Sequence, residues 1–213
     1  VARRDGIGSL IIDAAFKIGR LPDHYFQGIG GGPGPIGIHE MAERLIDGGF
    51  FEGPVPRQHV SQNVEHHPIH NAWQAGRDHL VPEDFPPDEV EVYSDYLLNK
   101  GPAYGQVGAV HDILKSSNGQ TYIVKREAAV AAREMIESIE GIDIMSPGAV
   151  AAASLLQALN EGEVNKDDCI LLNISGGGTG RLKKDIATRV VKPWLSVEKA
   201  AAVPAILEKL ATD

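Results

Sequence analysis

Apolar positions along the chain recur with two periods, about 3.6 and 2 residues, which predicts a succession of helices and strands. Over residues 8–19, Leu10, Ile11, Ala14, Ala15 and Ile18 fall on one stripe, the spacing of an amphipathic helix. The apolar-aromatic run 24–29 ends in glycines and reads as a strand feeding a loop. Ile38, Met41, Ala42, Leu45 and Ile46 then repeat every three or four residues up to Gly48-Gly49, a second helix with a glycine stop. Residues 58–62 form a weak strand candidate and 69–75 a helix. Residues 80–90, crowded with prolines and acids, read as an internal linker-like loop. Beyond it, 120–124 is a strand and 125–139 an alanine-rich helix with its charges on one face. Ser146-Pro147 reads as a helix start, with Ser as N-cap and Pro in the first helical position. The small, apolar helix it opens, 148–159, is expected to be buried. Residues 169–174 predict a strand covered on both faces, and 197–210 a closing helix that contains Pro204. Strands alternating with helices imply an α/β fold: a three-layer αβα arrangement with a mostly parallel sheet, in a single domain over 1–213.

Composition narrows the partners. The 213 residues, 43% of them apolar and 6% aromatic, suffice for a sizeable core. A formal net charge of −9 argues against nucleic acid and anionic membranes, both of which select basic faces. Small anions are still admissible, because a local nest of backbone N–H groups suffices to hold them. The single cysteine, Cys169, suits a reducing cytoplasm. No apolar run approaches the roughly 20 residues of a membrane helix. The chain opens Val1-Ala2-Arg3-Arg4 without Met, which suggests a processed or truncated product.

Two glycine clusters follow predicted strands. In the first, Gly28-Ile29-Gly30-Gly31-Gly32-Pro33-Gly34-Pro35-Ile36-Gly37 runs into a helix. Converging N–H groups and the positive end of the helix dipole make a phosphate its natural occupant; the plain alternative is a flexible connection. No Gly-Lys-Ser/Thr follows, and Pro33 and Pro35 interrupt any dinucleotide fingerprint. The second cluster, Asn173-Ile174-Ser175-Gly176-Gly177-Gly178-Thr179-Gly180-Arg181, puts a hydroxyl at the carboxyl end of a strand, where open α/β sheets bind ligands. Ser175 there is a nucleophile, a phosphate donor, a ring-nitrogen partner or a solvated turn residue. The nucleophile role lacks the Gly-x-Ser-x-Gly elbow, since residue 173 is Asn. His59, His66, His67, His70 and His79 crowd a short stretch, but Pro68 works against a helical pair of ligands. No metal site is expected, and these histidines are assigned substrate-contacting or surface roles. The Arg3-Arg4 and Lys183-Lys184 pairs read as solvated.

Four stretches carry a family resemblance: Ala2-Arg3-Arg4-Asp5-Gly6, Leu21-Pro22-Asp23-His24-Tyr25-Phe26-Gln27-Gly28-Ile29-Gly30, Ser146-Pro147-Gly148-Ala149-Val150-Ala151-Ala152, and Leu172-Asn173-Ile174-Ser175-Gly176-Gly177-Gly178. In this order they resemble the C-terminal half, mainly the large domain, of fold-type II pyridoxal-phosphate enzymes. Within these the likeness is to the threonine synthase group, and there to the archaeal cysteate synthases. The resemblance implies that Gly30, Gly31, Gly32 and Gly34 hold the phosphate of pyridoxal 5′-phosphate through backbone N–H groups. It implies that Ser175 faces the pyridine nitrogen, and that Leu98-Asn99-Lys100-Gly101-Pro102 lies beside the ring. The reaction it implies is replacement of the phosphate of L-phosphoserine by sulfite, giving L-cysteate on the way to coenzyme M. The substrates are then a small anionic amino acid and sulfite, and the intact enzyme a homo-oligomer. Threonine synthase and a non-catalytic phosphate- or nucleotide-binding module are the alternatives. The family's Schiff-base lysine stands in a Ser/Thr-Phe-Lys context that this chain lacks, so the lysine is expected upstream and no catalytic residue within the chain. The second cluster reads Ser-Gly-Gly-Gly-Thr-Gly-Arg-Leu-Lys-Lys-Asp where threonine synthases have Thr-Gly-His-Gly-Leu-Lys-Asp. That leaves Ser175 and Thr179 as rivals for the ring nitrogen, with Ser175 preferred because it follows the strand directly.

Overall fold

A computed structural model of the chain describes residues 2–87, 90–187, 189, 191–196 and 202–212. Four parallel strands, β1 (His24–Gly28), β2 (Arg57–Asn63), β3 (Gln120–Val124) and β4 (Ile170–Leu172), form one sheet in the order β3-β2-β1-β4. Helices cover both sides, so the fold is α/β with the three-layer arrangement expected. Two compact units are distinguished, Val1–Gly180, which holds the sheet, and Arg181–Asp213. In the second, helix α8 (Ala202–Thr212) carries Lys209, whose ammonium lies 5.9 Å from the centre of the Trp194 ring. The expected start of that helix, 197–201, lies outside the described residues, as do 88–89 of the expected loop.

Strand β1 divides the core by simple alternation. Tyr25 faces helices α1 (Ala2–Ile18) and α2 (Pro33–Asp47), packing with Ile11, Ala15, Ile38, Ala42 and Leu45. Phe26 points to the opposite face, toward Tyr122, Ala158 and Val164. There the small residues of α6 (Ser146–Asn160) pack with Ala129 and Ala132 of α5 (Arg126–Glu140). Helix α3 (Pro68–Gln74) and helix α4 (Val110–Ser116) close a further cluster around Ile36, Val60, Ile69 and Tyr104.

Several expectations need correction. Helix α1 starts at residue 2, because its first turn packs on α2: the Arg4 carbonyl lies so close to Gly37 that a Cβ there would stand 2.6 Å away. Arg4–Glu40 and Arg44–Asp5 pairs, each 2.8 Å, tie the two helices. The buried stripe of α1 is Gly8, Ile11 and Ala15, while Leu10 and Ile18 are exposed. Helix α2 begins at Pro33, so Gly34 lies in its first turn rather than in a loop. Pro68 opens α3, with His67 as its N-cap. Residues 82–84 form a 3-10 turn, and Asp84 is buried against Arg77. The N-cap of α6 is Met145, not Ser146, whose hydroxyl instead donates to Ser94 Oγ (3.0 Å). Strand β4 is short, at the sheet edge and half-buried, not covered on both faces. No described helix is long and apolar enough to cross a membrane.

Candidate functional site

The strand order dictates where a cleft opens. The chain steps outward from β1 to β2 to β3, then returns to lay β4 on the other side of β1. All four strands are parallel, so the loops leaving β1 and β4 emerge at the same carboxyl edge, at the point where the order reverses. Register makes this local: Phe26 pairs with Leu172, and Asn173 continues the ladder by donating its N–H to the Phe26 carbonyl (2.9 Å). A cavity of about 360 Å³ lies there. It is lined by the glycine loop Gly28–Gly34, by Gln27, Ser175, Tyr96, Leu97, Met145 and Pro147, and by Arg3 and Ile7 of α1. The structure thus brings Gly30, Gly31, Gly32, Gly34 and Ser175 into one cleft, although more than 140 residues of sequence separate the loops. Thr179 opens helix α7 (Thr179–Asp185), is exposed, and does not line the cleft.

The glycine loop is held from behind. Gly32 is left-handed, with φ of +84°, and a Cβ there would overlap Val110 Cγ2. The backbone of Leu97 presses on Gly30, and Asn99 Nδ2 would stand 2.7 Å from a Cβ on Gly31. The segment expected beside a ring therefore flanks the loop. Leu98 and Lys100 turn the other way, into a larger cavity of about 750 Å³ shared with His66 and Phe85. Arg3, expected to be solvated, is the one charged residue among the described residues lining the glycine cleft. No lysine is among them.

Pyridoxal phosphate, the cofactor the resemblance implies, requires an anion cradle, a slot for a flat ring and a partner for the ring nitrogen. The cleft offers loop amides at the positive end of α2 and the guanidinium of Arg3 for an anion, with walls from Leu97, Met145 and Pro147. Ser175 supplies a hydroxyl that donates or accepts. The residues present fit the group, and the volume lies within the ordinary range for small-molecule sites.

The surface role expected of the histidines is corrected for His59 and His66, which are buried. His59 is fully buried on β2, stacked on Phe26 with ring centres 4.1 Å apart. The Asp168 carboxylate can only accept, so His24 donates to it from Nε2 (3.1 Å), and His24 Nδ1 shares a hydrogen bond with His59 Nε2 (2.9 Å). His59 Nδ1 in turn hydrogen-bonds the Tyr122 hydroxyl (2.9 Å). Burial pushes the His59 imidazole down to about 3, helped by repulsion from His24 and Arg57. His66 is buried and donates from Nε2 to the Asn99 carbonyl (3.0 Å), and His70 Nδ1 meets Thr121 Oγ1 (2.9 Å). Only His79 is exposed, paired with Asp78. Among the described residues no cluster of three His, Cys, Asp or Glu side chains suits a metal ion.

The sequence gives Gln27, Tyr96 and Met145 no site role, and Arg3 only that of a solvated residue. For Gln27 a signal existed: it shares a face of β1 with Tyr25, two residues away, at the strand's carboxyl end.

No protein-family model matches the chain. It is 44% identical over 204 residues to the cysteate synthase of Methanosarcina mazei, covering 94% of this chain and 49% of that protein. The match to the cysteate synthase of Methanosarcina barkeri is 45% over 197 residues (91% and 47%). That to the Methanocella paludicola cysteate synthase is 45% over 202 residues (93% and 47%). The chain thus spans about half the length of the curated relatives it matches. Among solved structures, maize serine racemase superposes with a TM-score of 0.61 at 14% identity (97% of this chain, 52% of that). A pyridoxal 5′-phosphate-dependent aspartate racemase gives 0.63 at 11% (82% and 49%). Both likenesses concern the fold, that of the fold-type II enzymes.

Proposed function

We propose that this chain, a homologue of the cysteate synthases along nearly its whole length, forms the cofactor-holding half of an enzyme that replaces the phosphate of L-phosphoserine by sulfite. One observation carries the reading most: the loop after β1 and the hydroxyl after β4 converge at the strand-order reversal, in a chain about 45% identical to proteins of that name. When bound, pyridoxal phosphate supplies the electron sink that lets an amino acid lose its α-proton and its β-substituent. The protein's own residues do the rest. Amides of Gly30, Gly31, Gly32 and Gly34 grip the phosphate at the N-terminus of α2. The Ser175 hydroxyl meets the pyridine nitrogen; being neutral, it leaves that nitrogen largely unprotonated, which suits β-replacement over transamination. Arg3 gives the cleft a local positive charge, needed because both substrates are anions and the chain carries a net −9. The lysine that joins the cofactor belongs to the other half of the relatives' length. We assign the reaction to the cytoplasm and to coenzyme M formation, in a homo-oligomer.

The test has two arms. Titration of the chain with 4-deoxypyridoxine phosphate, followed by ³¹P resonance shifts, should show saturable binding that deoxypyridoxine alone does not reproduce. Equal affinity for both compounds would remove the phosphate cradle. Joined to the other half of a curated relative, the chain should yield L-cysteate from phosphoserine and sulfite. Threonine from O-phosphohomoserine and water, with no cysteate, would move the assignment to threonine synthase.

A further inference from the structure

The first turn of α2 is poor in donors. A helix N-terminus ordinarily offers four unpaired N–H groups, here those of residues 32–35, ahead of the first intrahelical bond from the Ile36 N–H to the Gly32 carbonyl (3.4 Å), but Pro33 and Pro35 have none. Apart from the N-cap Gly32, Gly34 alone of these four keeps an amide for an anion. The Gln27 carboxamide is lodged against this residue, so close that a Cβ on Gly34 would overlap it, and Gln27 lines the cleft.

Its orientation is set from across the sheet. Asn173 Nδ2 donates to the Tyr25 hydroxyl (2.7 Å), and that hydroxyl donates its single proton to Gln27 Oε1 (2.8 Å). Tyr25 is fully buried, and burial pushes its phenol well above its ordinary value, so the proton is kept. With Oε1 held by Tyr25, the two protons of Nε2 are directed away from the relay, and among the described residues no protein acceptor takes them. Asn173 stands two residues before Ser175, so the relay spans from the strand that delivers Ser175 to the first turn of the phosphate loop.

We infer that Gln27 is a phosphate ligand, its Nε2 replacing the amide donors that Pro33 and Pro35 remove, and that Tyr25 and Asn173 are positioning residues that keep this donor turned to the anion. The inference rests on the cleft's being a phosphate-ester site and adds a side chain to it. A hydrogen bond to a charged group of this kind is worth about 10- to 100-fold in affinity.

Binding of 4-deoxypyridoxine phosphate and of inorganic phosphate to the chain, measured by calorimetry and ³¹P resonance, tests it. Gln27→Leu should weaken both about 10- to 100-fold and leave deoxypyridoxine unchanged. Gln27→Glu, which sets a carboxylate against the anion, should weaken them at least as much. Tyr25→Phe frees the carboxamide to rotate and should cost affinity in the wild-type background but not in Gln27→Leu, whereas any loss of stability it causes persists in both. Should Gln27→Leu not fold, as judged by circular dichroism, the Gln27→Glu and Tyr25→Phe measurements carry the test. If the unaltered chain binds neither phosphate compound, the phosphate-site reading falls and the inference with it. If it binds both and the Gln27 variants bind equally well, the inference alone is overturned.

Discussion

Replacing Gly32 by alanine tests whether the phosphate loop is shaped by backbone geometry and by the core behind it. Gly32 has φ of +84°, a region that costs an L-residue about 1–2 kcal/mol. The new methyl would also overlap Val110 Cγ2, a side chain fully buried among Ala109, Ile113 and Leu114 and unable to retreat into solvent. Overpacking a core position costs about 1–3 kcal/mol, so the substitution should destabilise by about 2–5 kcal/mol in total. The two contributions separate in a double-mutant cycle. Val110→Ala by itself opens a small cavity, but in its presence the added methyl no longer clashes and only the backbone cost remains. The pair should therefore be less destabilising than the sum by about 1–3 kcal/mol. Urea unfolding read by fluorescence of Trp73, which packs against the same cluster, measures all four variants at a common m-value. A Gly32→Ala variant within about 0.5 kcal/mol of the parent, or full additivity with Val110→Ala, would refute this account.

Three further outcomes follow from buried ionisable groups and from the cleft. The depressed His59 means that below its unfolded value, about 6.5, the unfolded chain binds a proton that the native chain refuses, so stability falls with pH, by about 1.4 kcal/mol per unit from this residue alone. Burial shifts His39, His67 and His70 in the same direction and steepens the slope. Urea midpoints that stay level from pH 7.5 to 5, or a His59→Gln variant with an undiminished slope, would contradict this. Asp84 acts in a lower pH window: hydrogen bonds from the Arg77 guanidinium hold its carboxyl below the usual range. Its contribution is present above the unfolded value of about 3.9 and lost as pH falls through the native one. Asp84→Asn should thus cost about 2–4 kcal/mol at pH 7, less than a wholly buried pair because Arg77 is partly solvated. That gap should close below pH 4, and a gap independent of pH would exclude the ion pair as its source. Finally, Arg3→Gln should weaken inorganic phosphate binding with a smaller dependence on ionic strength than the parent shows; unchanged salt dependence would return Arg3 to the solvated surface.

The parts of the fold that could be read from sequence are those whose burial is local and periodic. Strand β1, its glycine loop and the body of α2 follow from alternation, glycine punctuation and a 3.6-residue stripe. Strand β2 was nearly invisible for a physical reason. It is a central strand, yet Gln58, His59, Ser61, Gln62 and Asn63 are all buried, so the apolar run expected of a parallel strand is missing. Distant residues satisfy some of these groups, although Gln58 Oε1 and Gln62 Nε2 are buried with no partner among the described residues. The Ser117 hydroxyl accepts the backbone N–H of Gln58, the Asn63 side chain exchanges hydrogen bonds with the Ser94 backbone, and the relay from Tyr122 to Asp168 runs through His59. Such pairings leave no local trace. The same holds for Arg3: its short basic run looks like any solvated pair until α1 is laid against α2 and its first turn reaches the cleft.

The register of β1 with β4 explains why two glycine clusters so far apart in sequence act together. Phe26 opposite Leu172 leaves Ser175 three residues beyond the ladder on one strand and Gly30 four beyond on the other, both at the same edge. A slip of one residue would reverse every side chain of β4. It would bury Asn173 in the wrong direction, break its bond to Tyr25, and release Gln27 from the orientation that serves the phosphate loop. The geometry of the cleft is therefore specified less by the glycines, which only permit close approach, than by the alternation of Tyr25, Phe26 and Gln27. Tyr25 is held by the α1–α2 core, Phe26 by the α6 face, and Gln27 is left to look into the site. Swapping Tyr25 and Phe26 would preserve composition, hydrophobicity and strand propensity, and should nonetheless abolish phosphate binding; retained affinity in a folded double variant would show that the loop positions itself.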